Sequence, residues 1–192
     1  MLAMLSAIAL LASGCPEIGI GPHVGLGWSA GGPFIDSPGT SMMGIAGAHV
    51  EVRFAPSFLL RGELSYAPRQ TFFNYHYDRS ARAEYISLLL LPTRQLRVAD
   101  TVRLLARFGT AFDFPLNPGE GVNMDFGGHV SANVQADLDL VVAAGVRFDY
   151  GDFSLSVEGR RYWGLVAEDQ YGNHRGWQLI GGATFALKES GH

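Results

Sequence analysis

This chain has a single cysteine, a single lysine and a small net negative charge, and each of these limits what the protein can be. Cys15 is the single cysteine, so neither an intramolecular disulfide nor a thiolate metal cluster can form. Lys188 is the single lysine among 14 basic residues, and the others are arginines, which suit paired and partly buried sites better than lysine does. The net charge of −4 argues against nucleic acid as a partner, because that partner requires a basic surface.

Long apolar runs are missing as well. Although 47% of the residues are hydrophobic and the mean hydropathy is +0.12, no internal stretch reaches the roughly 18 apolar residues that a membrane helix needs. The longest internal runs, 86–92 and 138–146, have the length of strands. Because lipid accommodates only helices and closed barrels, an apolar chain without helical spans indicates a transmembrane β-barrel. With 192 residues, one such domain fills the chain.

The first 15 residues have the pattern of an export signal. An apolar run over 1–11 is followed by Leu-Ala-Ser-Gly-Cys, which resembles a lipobox that ends at Cys15. No basic residue precedes the run, so lipidation of Cys15 and an accidental lipobox both remain open. We expect a signal peptide over 1–15 and an outer-membrane barrel domain over 16–192.

After Cys15 the sequence alternates with period two, which predicts strands. Between 18 and 29, one face carries Ile, Pro, Val, Leu and Trp, and the other carries Gly, His and Ser. The same alternation elsewhere predicts an all-β, eight-stranded antiparallel up-and-down transmembrane barrel, with strands of about ten residues. The predicted strands are 18–29, 43–54, 58–67, 85–93, 102–113, 137–148, 153–163 and 177–187.

The connections between these strands alternate in length. Long segments at 30–42, 68–82, 115–132 and 164–175 alternate with short ones, the clearest being the hairpin signal Asp-Tyr-Gly-Asp at 149–152. Outer-membrane barrels have short periplasmic turns and long extracellular loops. The first strand is therefore predicted to run outward and the last one inward.

Two groups of residues follow from the predicted alternation. The polar face mixes small residues with acidic and basic ones two apart, so we expect a polar network that plugs the lumen. Its members are Glu51, Arg53, Arg61, Glu63, Arg103, Arg107, Asp139, Arg147, Glu158 and Arg160. The apolar face carries aromatics near the strand ends, as membrane interfaces favour. This predicted aromatic girdle comprises Trp28, Tyr66, Phe112, Trp163, Trp177, Phe54, Phe148 and Phe185.

Several strand sequences carry a resemblance to a known family. They are Ile20-Gly-Pro-His-Val-Gly-Leu-Gly, Arg61-Gly-Glu-Leu-Ser-Tyr, Tyr85-Ile-Ser-Leu-Leu-Leu-Leu-Pro, Gly145-Val-Arg-Phe and Ser154-Leu-Ser-Val-Glu-Gly-Arg. Nearly the whole chain after Cys15 resembles the outer-membrane β-barrel domain family, which includes PorT-like and OmpA/OmpX-like small barrels. The resemblance implies a bacterial outer-membrane location and a structural or binding role without catalysis.

The weak catalytic candidates are His129 and Ser131, which share a strand face, with Asp137 and Asp139 nearby in sequence. The segment is similar to the His-x-Ser-Asn motif of lipid A deacylase barrels, but Ala132 stands where that family has Asn. A lipid A-modifying hydrolase is therefore an alternative, although we expect no enzyme.

The partners and ligands expected from the sequence are few. His23 and His49 are both predicted to face the interior, but spacing supplies no third metal ligand, so we predict no metal and no cofactor. A lipocalin-like barrel tethered through Cys15 is the other alternative, because alternation leaves open which face meets water. The expected partners are outer-membrane lipids or lipopolysaccharide and an extracellular or periplasmic protein, with the chain itself a monomer.

Overall fold

The computed structural model describes residues 17–30, 42–73, 79–116, 122–123, 129–130, 136–165 and 175–187. Within them the strands are β1 (Glu17–Ala30), β2 (Met42–Ala55), β3 (Phe58–Phe73), β4 (Arg79–Arg97), β5 (Val102–Pro115), β6 (Val122–Asn123), β7 (His129–Val130), β8 (Asp137–Tyr150), β9 (Phe153–Gly164) and β10 (Arg175–Leu187). No helix in the described part of the chain is long and apolar enough to cross a membrane.

Eight of these strands close into one barrel in the order β1-β10-β9-β8-β5-β4-β3-β2, and every pairing is antiparallel. Apart from the β5–β8 step, neighbours in the ring are consecutive in the described sequence, with β1 and β10 closing it. The predicted eight-stranded antiparallel barrel is confirmed. Closure pairs both edges of the sheet, which removes the free edge that lipid does not tolerate.

The short turns all lie at one end of the barrel. Pro56 and Ser57 connect β2 to β3, and residues 98–101 connect β4 to β5. Gly151 and Asp152 connect β8 to β9, and Gly151 has φ +66°, which fits the first central position of a type II′ hairpin turn. The pairing of Ile18 with Leu187 places the described chain ends at this same end.

Two long connections contain more structure than the sequence indicated. The prediction of a loop over 68–82 was wrong, because β3 and β4 stay paired from Pro68–Glu84 to Phe73–Arg79. The proline and the polar residues of 68–82 are typical of a loop, so the sequence pattern did not predict this paired extension. Within 115–132, β6 and β7 form a separate two-stranded sheet, with Val122 opposite Val130 and Asn123 opposite His129.

The alternation predicted for the strands is present in three dimensions. In the leucine run of β4, Leu89 and Leu91 face inward with 2% and 0% exposure, while Leu88 and Leu90 face outward with 48% and 50%. A side chain that points out of a barrel in water would expose apolar area at a large cost. The barrel is therefore built for an apolar surrounding, with its polar groups inside.

Candidate functional site

The lumen carries most of the charged side chains of the barrel strands. The deeply buried ones among the predicted network are Glu51, Arg61, Glu63, Arg107, Asp139, Arg147, Glu158 and Arg160. The side chains of Arg53 and Arg103 lie nearer the short-turn end and are 22% and 20% exposed. Buried charges are stable only when they are paired, so their partners decide what the lumen can do.

Glu63 is at the centre of the first group of ion pairs. Arg160 donates two hydrogen bonds to its carboxylate, from Nη1 to Oε2 at 2.6 Å and from Nη2 to Oε1 at 2.6 Å. Arg61 also donates from Nε to Glu63, and Arg160 donates from Nε to Glu158 at 2.5 Å. Arg107 completes the group, with its Nε 3.0 Å from Oε2 of Glu158.

Glu51 is at the centre of the second group, nearer the short turns. It accepts from Nη1 of Arg147 at 2.5 Å and from Nη1 of Arg61 at 3.1 Å. Arg147 also donates to Asp149 at 2.8 Å. Because Arg61 contacts both Glu51 and Glu63, the two groups form one continuous network.

This network crosses the full width of the barrel. In the ring of eight strands, β3 and β9 lie four positions apart, and so do β2 and β8, so each pair is diametrically opposed. Glu63–Arg160 connects the first pair, and Glu51–Arg147 connects the second. An eight-stranded barrel is just wide enough for its side chains to fill it. These two ion pairs therefore occupy the lumen in the half of the barrel near the short turns.

One pairing suggested by the sequence differs in the structure. The sequence places Glu51 and Arg53 two residues apart on one face, whereas Nη1 of Arg53 donates to Oε2 of Glu17 at 2.6 Å. Arg103 likewise donates to Asp149, at 2.6 Å. Both arginines lie at the short-turn end of the barrel. There, a carboxylate on a neighbouring strand is closer to each arginine than one on its own strand.

Two histidines lie in the lumen beside the ion pairs, and two glycines flank one of them. Nε2 of His23 lies 2.8 Å from Ser65 Oγ. Arg61 donates to Nδ1 of His49 at 3.1 Å, so Nε2 carries the proton and donates to Thr184 Oγ1 at 2.9 Å. His23 is flanked across the sheet by Gly47 and Gly182, and a Cβ at Gly47 would lie 2.7 Å from its Nε2. Glycine at this position makes room for the imidazole.

Toward the long-loop end the lumen contains two apolar clusters beside buried polar groups, a feature that sequence reasoning missed. One buried cluster contains Leu89, Leu91, Ala111, Val141 and Tyr162, and a second contains Ile45, Ala67 and Ile180. Tyr162 donates from its hydroxyl to Gln178 at 2.8 Å, and Ser87 donates to Asp113. The run of four leucines in β4 could have indicated these clusters, because alternation along a strand turns two of the four side chains into the lumen.

A cavity of about 460 Å³ opens at the short-turn end. Its wall combines Arg53, Arg103 and Arg147 with Glu17, Glu51 and Asp149, and with apolar side chains such as Leu59 and Phe153. These arginines all have carboxylate partners among the residues just named. The cavity is therefore an ion-paired vestibule that ends at the network of Glu51.

The exterior of the barrel is apolar and aromatic. Large hydrophobic side chains on all eight barrel strands are exposed, from 68% at Met42 to 38% at Phe148. Trp28 faces Trp177 across the β1–β10 pairing, and Trp163 lies near the long-loop end of β9. Phe54, Phe148 and Phe185 lie toward the short-turn end, and Phe112 lies toward the other.

Tyr66 lies inside β3, which continues to Phe73, and it pairs with Ile86, the partner of Phe114 near the long-loop end of β5. The apolar exterior and polar interior also overturn the lipocalin-like alternative, which requires the opposite arrangement. A surface of this kind places the barrel in a membrane, in agreement with the outer-membrane location predicted from the sequence.

The remaining sequence candidates lie partly or wholly outside the described residues. His129 is in β7, where its backbone pairs with Asn123, but Ser131 and Cys15 are outside the described residues. Asp137 and Asp139 begin β8. Within the described residues, no group of three or more His, Cys, Asp or Glu side chains is arranged to hold a metal ion.

The geometry defines a class: a small, closed transmembrane β-barrel with ion pairs across its lumen. No family model matches the sequence, and no curated protein matches it either. Solved structures share the fold at low identity. Neisserial surface protein A is 13% identical with a TM-score of 0.60, and the alignment covers 88% of this chain and 97% of that one.

Two further structures agree with this class. The N-terminal β-barrel domain of Pseudomonas aeruginosa OprF is 13% identical with a TM-score of 0.57, and the alignment covers 89% of this chain and 97% of that one. The attachment invasion locus protein Ail of Yersinia pestis, solved with the heparin analogue sucrose octasulfate, is 15% identical with a TM-score of 0.55, covering 90% and 99%. The fold is that of the OmpA/OmpX-like small barrels which the sequence resembles.

Proposed function

We propose that this protein is an outer-membrane scaffold of structural or binding type, with a lumen that is closed to diffusion and without catalysis. The observation that carries the proposal is the pair of ion pairs across the barrel diameter, Glu63–Arg160 and Glu51–Arg147. The apolar clusters of the lumen add a second obstruction toward the long-loop end. A barrel obstructed both by the ion pairs and by the apolar clusters would act as a support for its long extracellular connections.

The proposed partners contact the parts of the molecule that the barrel presents. Outer-membrane lipids contact the apolar exterior, and an extracellular protein or polyanion would contact the four long connections. Ail, which shares the fold, was solved with a heparin analogue, and this precedent supports a binding role for a barrel of this fold. An export signal over 1–15, with or without lipidation of Cys15, would deliver the chain, and we propose that it acts as a monomer.

Conductance in planar lipid bilayers tests the closed lumen. The purified, refolded protein is expected to give no stable ionic current. A Leu91→Ala/Val141→Ala variant, which thins the apolar cluster but leaves the ion pairs intact, is also expected to give none, because the ion pairs alone block the lumen. Stable stepwise current from the unmodified protein would contradict the proposal.

The lipid A hydrolase alternative requires its own experiment. Ser131→Ala would abolish a change in the mass of lipid A if Ser131 were a nucleophile. We expect identical lipid A mass spectra from cells that express the protein, the Ser131→Ala variant or neither.

A further inference from the structure

An arginine and two tryptophans form a cluster on the outward face of the barrel, near its long-loop end. Arg161 lies in β9 between the inward-facing Arg160 and Tyr162, so it points away from the lumen. Its Cζ lies 4.8 Å from the centroid of the Trp177 ring and 5.7 Å from that of Trp163. Trp177 is its direct neighbour across the β9–β10 pairing. Two indole rings on adjacent strands therefore hold one guanidinium group.

A charged group on the lipid-facing side of a barrel is costly at mid-membrane and is tolerated near the interface. Tryptophan favours that same interface, at the level of the lipid headgroups. The contacts of Arg161 within the described residues are with the two rings, which approach it through cation–π geometry. Such contacts use the faces of the guanidinium group, and its N–H donors point along the edges.

Below Arg161 on the outer wall, Gly159 lies beside Ala144, and we call this strip of small residues the furrow. Gly159 is the next outward residue of β9, and it pairs with Ala144 on one side and Leu179 on the other. A Cβ added at Gly159 would meet no atom within 4 Å, so the space above it is open. A small residue beside another small residue leaves room along the barrel wall for one hydrocarbon chain.

We propose that Arg161, Trp163 and Trp177 bind a phosphate group of lipid A in the outer leaflet, with an acyl chain lying in the furrow at Gly159. The planar fork of arginine donates two parallel hydrogen bonds to phosphate, and these charge-assisted bonds are stronger than neutral ones. The long-loop end faces the outer leaflet, where the phosphorylated lipid is lipid A. The site depends on this orientation and does not depend on whether the lumen conducts.

Native mass spectrometry of the full chain in detergent micelles measures the binding directly. Bisphosphorylated lipid A is titrated against the protein, and dephosphorylated lipid A and inorganic phosphate are titrated separately. Bisphosphorylated lipid A is expected to saturate at one molecule per barrel. Dephosphorylated lipid A is expected to bind about tenfold more weakly, the loss that follows removal of a hydrogen bond to a charged group. Inorganic phosphate alone should not bind at the same concentrations.

Two substitutions separate the roles of charge and shape. Arg161→Gln removes the guanidinium and should weaken lipid A binding about tenfold. Arg94→Gln is its control, since Arg94 lies between the inward-facing Thr93 and Gln95, points outward and pairs with Phe58 near the opposite end of the barrel. Gly159→Leu fills the furrow and should also weaken binding, and Gly62→Leu is its control, because a Cβ at Gly62 likewise meets nothing within 4 Å.

Each variant is first tested for folding by its migration on a denaturing gel with and without boiling. Equal affinity of Arg161→Gln and the unmodified protein overturns the site. Equal binding of phosphorylated and dephosphorylated lipid A overturns the role of the phosphate. Saturation by inorganic phosphate at equal concentration would assign the cluster to free anions instead of lipid A. Current through the barrel bears only on the closed lumen, so the two proposals fail separately.

Discussion

Removal of Glu63 is the sharpest test of the network across the lumen. Glu63 is 2% exposed and accepts two hydrogen bonds from Arg160, both at 2.6 Å, in addition to the one from Arg61. Glu63→Ala leaves Arg160 with Glu158 alone and leaves one positive charge uncompensated in a filled lumen. Breaking a buried pair from one side costs about 3–5 kcal/mol, so the free energy of unfolding should fall by about that amount.

The assay is urea unfolding of the barrel refolded into lipid vesicles, followed by tryptophan fluorescence. Glu17→Ala is the matched control, because it also removes a carboxylate from an arginine at 2.6 Å, but the Glu17 side chain is 70% exposed. Exposed pairs contribute little, so a loss below about 1 kcal/mol is expected there. A Glu63→Leu/Arg160→Met variant removes one charge of each sign and should recover much of the loss. Equal losses for Glu63→Ala and Glu17→Ala would refute the reasoning.

Three more predictions follow from the backbone and the surface. Gly109→Ala should lower the free energy of unfolding by about 1–3 kcal/mol, because its Cβ would lie 2.0 Å from the Leu90 carbonyl oxygen. Gly62→Ala is the control and should change the free energy of unfolding little, because a Cβ there meets no atom within 4 Å. Equal urea midpoints for the two variants would contradict this prediction. Gly151→Ala forces φ +66° on a residue with a Cβ and should cost about 1–2 kcal/mol in the same assay. The protein should stay in the membrane pellet after alkaline carbonate and dissolve only with detergent, since its exterior is apolar; release into buffer would be incompatible with a lipid-facing surface.

The sequence predicts most of the side chains that face the lumen, because the period of two along a strand depends only on neighbouring residues. Once the register of β3 is set by its apolar face, Arg61 and Glu63 must face the opposite way. The same reasoning placed Glu158 and Arg160 together, and the structure has these two side chains in contact. Partners two residues apart on one strand are therefore readable from the sequence.

Pairing between distant strands could not be read in this way. Glu51 and Arg147 are 96 residues apart, and they meet because β2 and β8 lie opposite one another in the ring. Their contact depends on the tilt and stagger of the strands, which set the heights at which side chains reach the barrel axis. Arg53 shows the same limit, since its partner is Glu17 on β1 instead of its close sequence neighbour Glu51.

The β3–β4 extension and the cluster at Arg161 are also products of the assembled sheet. Residues 68–82 have loop-like composition, but the preceding register continues through them once β3 and β4 are paired. Arg161 looked like an ordinary strand residue, and only the pairing of β9 with β10 brings Trp177 against it.

By itself, the sequence determined the presence of eight strands, the face that each residue of the predicted strands occupies and the end at which the short turns lie, because each of these follows from local period and turn chemistry. The tertiary structure alone decided which charges meet across the lumen, where its apolar clusters lie, and which outward arginine lies between two tryptophans. These features depend on the closure and stagger of the barrel, which bring together side chains about a hundred residues apart. The alternation within any one strand contains no information about such distant partners.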